Sequence, residues 1–91
     1  MKLVVGIVQD QDAGTVIDAL VAAEYRSTRI NTSGGFLKRG NATILVGVDD
    51  EKVDDVLRIL RERTHRASSG AGTAQAAGMV LVLNVARFVR I

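Results

Sequence analysis

The chain predicts an α+β sandwich, with an antiparallel sheet on one side and two helices on the other, and three patterns in its 91 residues predict it. Four strand-length runs stand near residues 2–8, 25–32, 43–48 and 79–85. Stretches of helical period follow the first and the third of them. A glycine-rich turn joins the second to the third, so that pair reads as a hairpin with a long tip. The resulting order of strand, helix, strand, strand, helix, strand is the split βαβ arrangement of ferredoxin-like sandwiches, with both helices on one sheet face. Residues 1–91 are expected to form a single domain of that kind.

The first strand is apolar almost without interruption, as in a strand at the middle of a sheet or buried on both faces. Asp10 or Asp12 offers an N-cap to the helix that follows, and Val16, Ile17, Leu20, Val21 and Ala23 recur at helical spacing over about residues 13–24. In the second strand Arg26, Thr28, Ile30 and Thr32 alternate with Tyr25, Ser27, Arg29 and Asn31. Neither face is cleanly apolar, which suits a strand lining a cleft or an interface better than one filling a core. The third strand, Thr43 to Val48, is strongly hydrophobic, and Gly47 inside it signals a bulge or a close approach by something flat.

Asp49, Asp50 and Glu51 open the second helix, whose Val53, Val56, Leu57 and Leu60 fit the i, i+3, i+4, i+7 template. Arg58, Arg61, Arg63, His65 and Arg66 gather towards its end, complementing the helix dipole. Residues 67–78 are small, without period or large apolar anchors, and read as a mobile loop before the last strand, Met79 to Val85.

Composition narrows the function. At 47% hydrophobic with only Tyr25, Phe36 and Phe88 as aromatics, the core must be built of Val, Ile, Leu and Ala. The absence of cysteine removes disulfide and thiolate chemistry. The amino-terminal apolar run is too short for a signal-peptide core or a bilayer span, so no membrane insertion and a cytoplasmic location are expected. A net charge of +2 is slight for a nucleic-acid binder, although nine of the twelve basic residues are Arg, a residue suited to phosphate and carboxylate. His65 has no partner at metal-ligand spacing, and Asp10, Asp12, Asp49 and Asp50 are explained as caps. No Ser-His-Asp or P-loop pattern argues for an enzyme.

The segment from Arg26 to Asp49 concentrates the chemistry. Gly34, Gly35 and Gly40 let main-chain N–H groups approach and face phosphate oxygens. Arg26, Arg29, Lys38 and Arg39 supply charge, and Thr28, Thr32 and Ser33 supply hydroxyls. Phe36 and Leu37 stand between glycines, where an apolar pair adds nothing to turn geometry and must be buried against a nucleobase or a neighbouring subunit.

Taken together, Val8-Gln-Asp-Gln-Asp12, Arg26-x-Thr28, Thr32-x-Gly-Gly-Phe-Leu37, Gly40-Asn-x-Thr43 and Gly47-Val-x-Asp50 closely resemble the cyclic-di-AMP receptors of the PII-like superfamily. The match is dense to about residue 60; beyond it only Gly78, the apolar strand and Phe88 fit. The resemblance implies a homotrimer with nucleotide sites between subunits, a signalling role without catalysis, and an unidentified protein target. Arg26 and Thr28 match residues of the nucleotide site, Gly35, Phe36 and Leu37 match the segment that meets phosphate and base, and Asn41 and Gly47 match positions around an adenine. Two departures stand out. The loop before the last strand is shorter than is usual in the family, and Leu81 and Arg90 stand where it draws an aromatic and a glutamine into the site. Cyclic di-AMP is thus the expected ligand, with no other cofactor and no metal. ATP or ADP sensing, RNA binding through Lys38 and Arg39, and a purely structural trimer are the alternatives.

Overall fold

The computed structural model describes residues 1–30, 41–64 and 78–91. Its elements are β1 (Lys2–Gln9), α1 (Asp10–Ala22), β2 (Ser27–Ile30), β3 (Asn41–Val48), a 3-10 turn (Asp50–Lys52), α2 (Val53–Arg63) and β4 (Gly78–Asn84). The strands form one sheet in the order β2-β3-β1-β4, and every neighbouring pair is antiparallel. This is the ferredoxin-like βαββαβ sandwich.

The core is a single layer between sheet and helices. Val4 and Val8 of β1 and Ala42, Ile44, Val46 and Val48 of β3 meet Ala13, Val16 and Leu20 of α1 and Val56, Ile59 and Leu60 of α2. All the strand residues in that set are even-numbered, as the two-residue period of a strand requires when one face is covered. α2 packs so closely on β1 that a Cβ at Gly6 would lie 3.4 Å from Leu60 Cδ2. The odd-numbered residues of β1 and β3 point to the other side, which no helix covers.

Several local expectations change. α1 starts at Asp10 because β1 runs straight into it, leaving Gln9 at the cap position with no side-chain cap hydrogen bond. Asp10 and Asp12 therefore sit inside the first turn, Asp10 exposed and Asp12 fully buried. The 3-10 turn and α2 likewise have no side-chain cap, so capping does not account for Asp49 and Asp50. α1 ends at Ala22 rather than near residue 24, because Glu24 takes a left-handed conformation with φ 67. Its reversal is closed by Glu24 N–H to Val21 O at 2.9 Å and Tyr25 N–H to Leu20 O at 2.8 Å. Val21 faces solvent, and Ile59, absent from the apolar template drawn for α2, is buried. β1 is central in the sheet but buried on one face only, with Leu3, Val5 and Ile7 half-buried on the other. The β1–β3 register runs unbroken from Lys2↔Val48 to Gln9↔Asn41, so Gly47 makes no bulge. The loop expected at 67–78 loses its last residue to the sheet, Gly78 being the first of β4; residues 67–77, with Lys38, Arg39, His65 and the hairpin tip, lie outside the described residues.

Candidate functional site

Register decides which predicted site residues share a surface. β2 pairs with β3 as Ser27↔Val46, Thr28↔Leu45, Arg29↔Ile44 and Ile30↔Thr43. Thr28 thus stands on the odd, helix-free face of β3, the face that also carries Asn41 and Gly47. Arg26, one residue before β2, continues the alternation on that side. Its neighbours are tied to the opposite side: Tyr25 packs at the core and donates its hydroxyl to Asp55 Oδ2 of α2 at 2.6 Å, and Arg29 pairs with Asp10 of α1 at 3.3 Å. The anchoring of alternate residues to the helices leaves Arg26 and Thr28 exposed on the open face. Gly35, Phe36 and Leu37 lie outside the described residues.

The open face is divided in two. In the rows that β1 shares with β4 it presents Leu3, Val5 and Ile7 beside their partners Leu83, Leu81 and Met79. Met79, Leu81 and Leu83 are 58%, 47% and 47% exposed. Of the two residues that depart from the family's closing segment, Leu81 belongs to this apolar half and Arg90 lies in the exposed segment after β4. Across β2 and β3 the same face carries Arg26, Thr28, Asn41, Thr43 and Gly47, interrupted by Ile30 and Leu45. A guanidinium, an exposed hydroxyl, a carboxamide and a glycine can serve a phosphate and the edge of a flat ring together. They do not form a nucleophile and its base.

Two residues enlarge the set predicted from sequence. The Met1 side chain lies over Gly47, its Cε 3.1 Å from where a Cβ would stand, so the close approach expected there is made by a thioether of the same chain. Alternation from Leu3 back to Met1 was the available signal. Thr43 was visible only as part of a spaced motif; the structure shows its hydroxyl buried with no hydrogen-bond partner.

Charges elsewhere serve the scaffold. The Tyr25 hydroxyl, followed by Arg58 at 2.7 Å, holds the Asp55 carboxyl below the usual carboxylate range. The same hydrogen bond pushes the Tyr25 phenol up. Asp50 is lowered by the amino-terminal ammonium 3.1 Å away. A shallow groove along α2, lined by Asp54, Leu57, Arg58, Arg61 and Glu62, carries the Arg58–Asp55 and Arg58–Glu62 pairs one helical turn apart, which suffice to explain it. Among the described residues no group of acidic or histidine side chains could hold a metal ion, and no helix is long and apolar enough to cross a membrane.

Residues 1–79 match a family model described as cyclic-di-AMP receptor. A crystal structure of a functionally unknown protein from Pediococcus pentosaceus is similar to this chain, with 36% sequence identity and a TM-score of 0.80, over 99% of this chain and 96% of that one.

Proposed function

The chain belongs to the cyclic-di-AMP receptor family, and we propose that it binds cyclic di-AMP on the β2–β3 half of the open sheet face. The observation that carries this reading is the convergence of Arg26, Thr28, Asn41 and Gly47, brought together by register from two strands. Arg26 stacks on an adenine or pairs with phosphate, Thr28 donates to a phosphate oxygen, and the Asn41 carboxamide meets an adenine edge. Gly47 opens main-chain groups to the ligand once the Met1 thioether swings aside. Gly35, Phe36 and Leu37 complete the site in this reading, as the family resemblance implies.

The apolar β1–β4 half gives this reading its assembly. Leu3, Val5, Ile7, Met79, Leu81 and Leu83 form a continuous patch of the kind that marks a protein interface. Copies of the chain turn these patches inward as a homotrimer, which places the polar halves at the seams between subunits. The protein is then a cytoplasmic PII-like signal transducer that relays occupancy to a protein partner and carries out no catalysis.

Isothermal titration of the wild type and Arg26→Ala with cyclic di-AMP, with ATP and ADP as competitors, tests the reading. Saturable heat in the wild type, its loss in the variant and no displacement by the mononucleotides support it. Equal heats in both proteins, or tighter binding of ATP, contradict it.

A further inference from the structure

We infer that Thr43 is a further ligand-contacting residue, whose hydroxyl takes its hydrogen-bond partner from the nucleotide; this rests on the cyclic di-AMP reading above. Thr43 is 8% exposed, and its Oγ1 is buried without a partner. Its cross-strand neighbours are Ile7 and Ile30, which have no polar side-chain atom to offer. Two residues along β3 on the same face are Asn41 and Leu45, and Thr28, paired with Leu45, is its diagonal neighbour. The hydroxyl thus sits between the residue assigned to an adenine edge and the one assigned to phosphate. Diagonal neighbours in a sheet are about 7–8 Å apart, a gap that a ligand atom between them can bridge.

A threonine here is disfavoured in the free protein. Valine has nearly the same shape, suits a strand equally well and leaves no buried oxygen unmet. On the same face Thr43 stands among Ile7, Ile30 and Leu45, with Asn41, Thr28 and Gln9 as its nearest polar neighbours. A buried hydroxyl without a partner calls for an explanation, and a ligand on the same face would supply one. Ser27 provides the contrast: its Oγ is also buried without a partner, but it shares the helix-covered face with Val46, where no ligand reaches it.

Thr43→Val, Thr43→Ser and Ser27→Ala are titrated with cyclic di-AMP beside the wild type, with thermal unfolding and light scattering on the same samples. Thr43→Val is expected to bind roughly tenfold more weakly, the value of one hydrogen bond, while unfolding at the same or a higher temperature in the same oligomeric state. Thr43→Ser, which keeps the hydroxyl, is expected to stay within about threefold of the wild type. Ser27→Ala is expected to bind as the wild type does. Wild-type affinity in Thr43→Val, equal losses in the valine and serine variants, or a valine variant that loses affinity only by dissociating into monomers would overturn the assignment of Thr43 alone. A wild type that gives no heat with cyclic di-AMP would overturn the functional reading, and this inference with it.

Discussion

The two halves of the open sheet face share one backbone lattice, yet carry opposite chemistry. On β1 and β4 every outward position from Leu3 to Ile7 and from Met79 to Leu83 is apolar. On β2 and β3 the outward positions alternate between polar groups, glycine and a few aliphatic residues. Apolar attraction has no direction and grows with area, so the first half suits broad contact with another copy. Hydrogen bonds to a hydroxyl, an amide and a guanidinium are directional, so the second half suits a small ligand of defined shape. One sheet can thus divide assembly from recognition simply by which side chains occupy its odd positions.

The largest expected effect comes from charging the apolar half. In the proposed trimer, Leu81→Asp should give monomers by light scattering and abolish cyclic di-AMP binding as well, since the seam is lost. A monomer that still bound the nucleotide would separate the two halves completely. Next, Arg26→Ala should weaken binding by roughly 10- to 100-fold, as expected for a charged hydrogen bond of about 1.5–3 kcal/mol, and leave the trimer intact.

Two glycines sharpen the contrast. A Cβ at Gly78 would lie 2.5 Å from the Ile7 carbonyl oxygen, which is backbone and cannot give way, so Gly78→Ala should cost about 1–3 kcal/mol of stability in chemical denaturation. At Gly47 the nearest atom is the mobile end of Met1, 3.1 Å away. Gly47→Ala should therefore change stability by less than about 0.5 kcal/mol while impairing ligand binding in the same titration.

The smallest effect lies in the scaffold behind the polar half. Asp55 has a folded-state pKa below its unfolded value, so its contribution is present above the unfolded carboxylate range and fades as pH falls through the folded pKa. Tyr25 has a raised folded pKa, so its contribution is present below the unfolded phenol value and fades as pH rises through the folded one. Tyr25→Phe should flatten the unfolding temperature at both extremes of pH, most visibly on the acid side.

Much of this division was legible before any coordinates. The apolar runs, the helical period of α2 and the glycine-rich hairpin give the fold, because each stretch has one regular structure that buries its apolar side. The mixed alternation of β2 already pointed to a cleft or interface. Alternation places Arg26 with Thr28 within one strand, but it does not place them with Asn41 and Gly47. That depends on the β2–β3 register, and a slip of one residue would have sent Thr28 to the helix side. Nor does a sequence show whether a hydroxyl is satisfied, so the motif alone does not distinguish Thr43 from an ordinary strand residue. The start of α1 is not legible because Gln9 lacks the features of a cap, nor its end, because a glutamate occupies a left-handed position usually given to glycine.

The most direct test of the central claim is a titration of the isotope-labelled protein with cyclic di-AMP, followed by backbone amide NMR. The account predicts saturable shifts concentrated at Arg26, Thr28, Asn41, Thr43 and Gly47, with the amides of Leu81 and Leu83 nearly unmoved. Shifts centred on β4 or on the charged groove of α2, or none at all, would contradict it.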